Sequence, residues 1–203
     1  CLALNAGDRE DCAAWLARRG LTRTKIILLH PESGRTPGRG QAGSSGDPDH
    51  WPKADWIALT RALLADPGSF TIIVCGEPPD AALLRDLATH VGSPRVQAVG
   101  DDLPLRRLMA LCEHADAMIS VDSGFAQIAA ALGCPLIVLY GSRQPSLWRP
   151  RSPTGSPVQA LGGLPARNRM DQITLDEVLF GWQEIRTWRR ASASPNLPPG
   201  MPQ

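Results

Sequence analysis

The stretch AMISVDSGFAQIAAALGCPLIVLYG, Ala117 to Gly141, decides the fold of this chain. Ala117 to Val121 is a short, mostly apolar run with the pattern of a strand buried on both faces. Asp122-Ser123-Gly124 breaks it with small turn residues, Phe125 to Leu132 has helical composition, and Leu136 to Tyr140 is a second buried strand. A strand that feeds a helix through such a turn gathers unbonded backbone N–H groups and the positive end of the helix dipole at one point, which suits a phosphate or another anion. Ser123 and Gly124 are the anion contacts this predicts, through amide and hydroxyl. Asp122 fits better as a group that orients the turn than as a phosphate contact, because like charges repel. Capping of the helix by Asp122 or Ser123 accounts for the same residues without a ligand, and the stretch by itself leaves both readings open.

Working outward, the same alternation recurs. Residues 8 to 19 put Cys12, Trp15 and Leu16 on one helical face, with Gly20 as a stop. KIILLH (Lys25 to His30) predicts a buried strand, followed by a long Gly-rich loop from Pro31 to Pro52, of a length that is usually functional or disordered. Lys53 to Leu64 predicts a helix with Trp56, Leu59 and Leu63 inward. Strand Phe70 to Cys75 ends in the turn Gly76-Glu77-Pro78-Pro79, and Asp80 starts a helix with Leu83, Leu84 and Leu87 facing in. Strand Val96 to Val99 and helix Pro104 to His114 lead into the opening stretch. After it come a polar, Pro-rich segment from Ser142 to Pro157, a sixth strand at Val158 to Leu161, and a helix from Thr174 to Arg189 opened by a Thr174/Glu177 capping box.

Alternating strands and helices with βαβ crossover lengths predict an α/β fold, a doubly wound parallel sheet of Rossmann-like type. The domain is expected over residues 25–190, preceded by a linker and helix over 1–24 and followed by a disordered Pro/Ser-rich tail over 191–203. In strand order 3-2-1-4-5-6 the first and fourth strands meet where the winding reverses, and ligands bind at their carboxyl ends. The first strand ends at the long loop, with Ser33 and Gly34, and the fourth ends at Asp122-Ser123-Gly124. Gly141 and Ser142 close the fifth strand at the same sheet edge, and Glu77 follows the second, where such folds often hold a ribose.

The 203 residues carry a net charge of +1, which gives no support for a nucleic-acid surface, and no apolar run approaches the ~20 residues of a membrane-spanning helix. The five cysteines contain no C-x-x-C pair, so buried free thiols are expected rather than a disulfide framework or a metal site. The chain begins at Cys1 without a Met or a signal-like segment and is therefore expected to be a fragment.

ISVDSGFAQIAAALGCPLIVLYGSRQP resembles the donor-binding signature of family 9 glycosyltransferases, the lipopolysaccharide heptosyltransferase type. The likeness extends back to LLHPESG and HWPKADWIALTRALL and forward to Trp148, Pro150 and MDQITLDEV. It implies the C-terminal half of a GT-B fold, which binds a nucleoside-diphosphate sugar such as ADP-heptose. Taken together with the strand-end reading above, the candidate donor-binding residues are Ser33, Gly34, Glu77, Asp122, Ser123, Gly124, Gln127, Gly141 and Ser142, with Asp122 suited to orienting the turn or a sugar hydroxyl. The catalytic base is expected in an N-terminal domain this chain lacks, so the chain alone is expected to be inactive. That domain would also take the glycolipid or glycan acceptor. The resemblance implies an inverting transfer without metal or cofactor, in the cytoplasm or at the inner face of the bacterial inner membrane.

Two positions depart from the family pattern. Gln127 stands where the signature has His, and Asp49 where it has a Lys. Arg35, Arg39 or Lys53 are the nearby cations that can replace that Lys. Three readings compete: a transferase with a donor other than ADP-heptose, a catalytically degenerate binding or scaffold domain, and another GT-B-like enzyme such as a nucleotide-sugar epimerase.

Overall fold

In the computed structural model, which describes residues 3–31 and 47–193, six parallel strands form one sheet in the order β3-β2-β1-β4-β5-β6. The strands are β1 (Ile26–His30), β2 (Thr71–Cys75), β3 (Val96–Val99), β4 (Ala117–Val121), β5 (Leu136–Tyr140) and β6 (Val158–Gly162). Winding reverses between β1 and β4, which pair with Ile27 opposite Ala117 and His30 opposite Ser120. This is the doubly wound topology that the alternation predicts.

The two faces of the sheet bury separate cores because side chains alternate along each strand. On one face Ile26, Leu28, Met118, Leu136 and Val138 pack against α1 (Ala6–Arg18), α4 (Leu105–His114) and α5 (Gly124–Ala131). On the other, Ile27, Leu29, Ile72, Ile119 and Ile137 pack against α2 (Lys53–Ala65), α3 (Ala81–Val91) and α7 (Leu175–Ala193). A short α6 (Pro145–Trp148) lies between β5 and β6, inside the segment read as irregular. The helix α1 contributes Cys12, Trp15 and Leu16 to the first core, so it belongs to the same packed body as the sheet.

Local chemistry sets the element ends. Asn5 caps α1, and the Thr174/Glu177 pair starts α7 as its sequence predicts. In α3, Leu84 and Leu87 are buried but Leu83 is only half-buried, because it lies one residue off the inward stripe. The last helix runs to Ala193, three residues into the stretch assigned to the tail. Ser33 and Gly34, together with Arg35 and Arg39, lie outside the described residues.

Cys12, Cys75, Cys112 and Cys134 are free and buried. Burial pushes Cys12 up to about 11 and Cys75 and Cys134 up to about 12, so these thiols stay protonated and unreactive at neutral pH. Among the described residues no helix is long and apolar enough to cross a membrane.

Candidate functional site

At the carboxyl end of β4 the chain turns through Asp122 into α5, one residue earlier than the sequence pattern places its start. Ser123 is the N-cap: its backbone is extended and its Oγ accepts from the Ala126 amide at 3.3 Å. In this first turn the Gly124 and Phe125 amides have no intrahelical carbonyl to bond, which leaves the positive end of the helix facing the cleft. Capping and ligand binding are therefore not alternatives here, since the cap is what aims the helix.

The cap rests on a buried polar chain. Ser123 is 7% exposed, and its Oγ lies 3.2 Å from Ser120 Oγ, which in turn is 3.4 Å from His30 Nδ1. His30 is buried at the end of β1 and stacks on Phe125 with ring centroids 4.2 Å apart. Desolvation pulls its pKa from 6.5 down to about 3, so at neutral pH it is an uncharged support rather than a base.

In front of this turn opens a cleft of about 490 Å³ lined by Asp122, Ser123, Gly124, Gln127, Trp148 and Arg149 among others. The α6 segment forms its far wall. Trp148 and Leu147 are exposed there, and Arg151 adds a second cation beside Arg149, whose guanidinium donates to the Val158 carbonyl. Asp122 pairs with Arg143 at 3.3 Å, and the Arg143 guanidinium lies over the Trp148 indole, 4.6 Å from its centroid. Asp122 is thus engaged in an ion pair within the chain.

The other predicted residues fall differently. Gly141 lies under the Pro48–Asp49 segment: a Cβ there would collide with the Pro48 carbonyl and lie 2.5 Å from Asp49 Oδ1. Ser142 is held by Asp49, whose carboxylate accepts from its amide at 2.6 Å and from its hydroxyl at 2.8–2.9 Å. Glu77 is exposed beyond β2, in a turn where its amide donates to Asp80 Oδ2, and it does not line this cleft.

Residues 41–172 match the model of glycosyltransferase family 9 (heptosyltransferase), about two thirds of the chain. The chain belongs to this family. It is 33% identical to lipopolysaccharide heptosyltransferase 3 of Escherichia coli over 127 residues, which are 60% of this chain and 36% of that protein. The chain therefore spans about a third of the length of the curated relatives it matches. Among solved structures, E. coli ADP-heptose lps heptosyltransferase II matches with a TM-score of 0.70 and 18% identity, over 93% of this chain and 54% of that one. That likeness carries the fold. E. coli heptosyltransferase WaaC with ADP matches with a TM-score of 0.59 and 25% identity, over 80% of this chain and 44% of that one.

Within this family 9 chain, both departures from the signature have internal partners. Gln127 Nε2 donates to the Trp148 carbonyl at 2.9 Å, which ties α5 to α6 across the cleft. Asp49 holds Ser142. Lys53, considered as a replacement cation, pairs instead with Asp86 on α3. Arg143, Arg149 and Arg151 are absent from the sequence-based site because their Pro-rich segment has no periodicity to place it. The segment carries three arginines after β5, and the family likeness covers it only through SRQP, Trp148 and Pro150.

Proposed function

We propose that the chain is the nucleotide-sugar-binding half of an inverting family 9 glycosyltransferase. The observation that carries this reading is the Ser123-capped N-terminus of α5, opening into an arginine-lined cleft at the point where the sheet winding reverses. Family membership and the likeness to a heptosyltransferase solved with ADP support a nucleoside diphosphate as the group held there.

The complete protein would transfer a heptose-like sugar to a lipopolysaccharide or other surface-glycan acceptor, at the inner face of the bacterial inner membrane. A base in the other half removes the proton of the acceptor hydroxyl. The resulting oxygen attacks the anomeric carbon from the face opposite the diphosphate, forming the new glycosidic bond with inversion. The bond to the diphosphate breaks, and its electron pair leaves with the phosphate oxygen. The residues of this chain act on that leaving group: the Gly124 and Phe125 amides and the cleft arginines meet its negative charge.

A catalytically degenerate binding or scaffold domain is the second reading. It is favoured by Gln127, which cannot take up or release a proton as the signature His can and whose amide is bonded to Trp148. Titration calorimetry of the folded chain with nucleoside diphosphates and their sugars tests the first element of both readings, and no heat with any of them contradicts the site. Supplying a family N-terminal half then separates the two, since the transferase reading requires turnover with one of the sugars that binds.

A further inference from the structure

Asp49, at the signature's Lys position, accepts both the amide and the hydroxyl of Ser142 across a separation of 93 residues. It therefore works as an anchor for the turn that follows β5. The next residue in that turn is Arg143, held against Asp122 and Trp148, which line the cleft.

Two polar atoms beside it lack hydrogen-bond partners among the described residues. Arg143 Nη1 is buried without an acceptor, and so is the hydroxyl of Tyr140, a residue with 0% exposure. Tyr140 is the last residue of β5, directly before the Gly141-Ser142-Arg143 turn. A buried, unbonded donor on a cation is costly to leave unmade, and it calls for an anionic acceptor. A guanidinium offers parallel N–H groups that match two phosphate oxygens. Asp122, the ion-pair partner of Arg143, directly precedes the Ser123 cap of α5.

We propose that Arg143 is the residue of this chain that binds and neutralises the donor diphosphate, and that Asp49 is its positioning residue. The assignment rests on the donor-binding reading above. It accounts for an acidic residue at a place where a bare carboxylate would repel the ligand: the negative charge is engaged by Ser142 and serves to hold the cation in place.

The test is titration of the full chain with ADP and with inorganic pyrophosphate, with thermal unfolding run on each variant as a check of folding. Arg143→Ala is expected to weaken both probes by about 10- to 100-fold, as for loss of a hydrogen-bonded charge pair. Arg143→Lys should recover part of the loss, because it restores the charge without the fork. Asp49→Ala should weaken binding less, and should add nothing when combined with Arg143→Ala, since it acts through that residue. If the parent chain binds ADP and folded Arg143→Ala binds it equally well, the Arg143 assignment is overturned while the donor site stands. If Asp49→Ala binds as tightly as the parent or tighter, the positioning role is overturned. A parent chain that binds neither probe overturns the donor site and this assignment together.

Discussion

Replacing His30 with Asn should flatten the acid side of the stability profile. The imidazole is 2% exposed, packed on Phe125 at 4.2 Å, and its pKa falls from 6.5 to about 3 on folding because burial penalises the charged form. Between those values the unfolded chain binds a proton that the folded chain refuses, so stability rises with pH and is lost as pH falls below about 6.5. The loss approaches about 1.4 kcal/mol per pH unit, and between pH 7 and pH 5 it sums to about 2 kcal/mol from this one group. Other groups titrate over the same range, so the quantity to compare is the difference between the two proteins. Urea unfolding of the parent chain and of His30→Asn at pH 7 and pH 5 gives it directly. The variant is less stable at pH 7, having lost the stacking, but its drop on acidification should be smaller by about 2 kcal/mol. Equal drops in the two proteins would falsify the claim that His30 is held neutral beneath the cap.

Ser123→Ala removes the N-cap of α5 and should cost about 1 kcal/mol of stability in denaturant unfolding. It should also lower the affinity for ADP, because the first turn frays. Gly141→Ala forces a Cβ into the Pro48 carbonyl, and a loss of about 1–3 kcal/mol with a lowered melting temperature is expected from overpacking. Leu59→Ala, at a fully buried position in the core beneath α2, should cost about 2–5 kcal/mol and leave the ADP affinity of the folded protein unchanged.

The fold was legible because each strand is a short, nearly unbroken apolar run and each crossover helix carries its own stripe. Counting β1 from Lys25 places the fourth strand beside the first, and that adjacency put Asp122 to Gly124 at the reversal point. Those residues form a contiguous motif whose capping chemistry is local, so their place in the cleft follows from sequence. Gly141 and Ser142 were legible as sheet-edge residues but not as contacts of Asp49, because that partner lies 93 residues away with no pattern to join the two. For the same reason Asp49 was legible only as a departure at the signature's Lys position, whereas it holds a turn. Arg143 lies at the end of the quoted signature but has no assignable role from sequence, because a single arginine in a Pro-rich segment has no periodicity. Only the packing of Trp148 and the pairing with Asp122 give it a direction. Leu83 shows the limit of helical patterning at one-residue resolution, since its neighbour Leu84 takes the buried position.

Amide NMR spectra of the isotope-labelled chain, recorded as ADP is added, test most directly whether the α5 turn is a diphosphate cradle. Saturable shifts are expected, centred on Ser123, Gly124 and Phe125 and extending to Arg143 and Trp148, while α1 and the β3 edge stay still. Saturable shifts that leave the Ser123–Phe125 amides unmoved, or no shifts at any ADP concentration, would contradict a diphosphate cradle there.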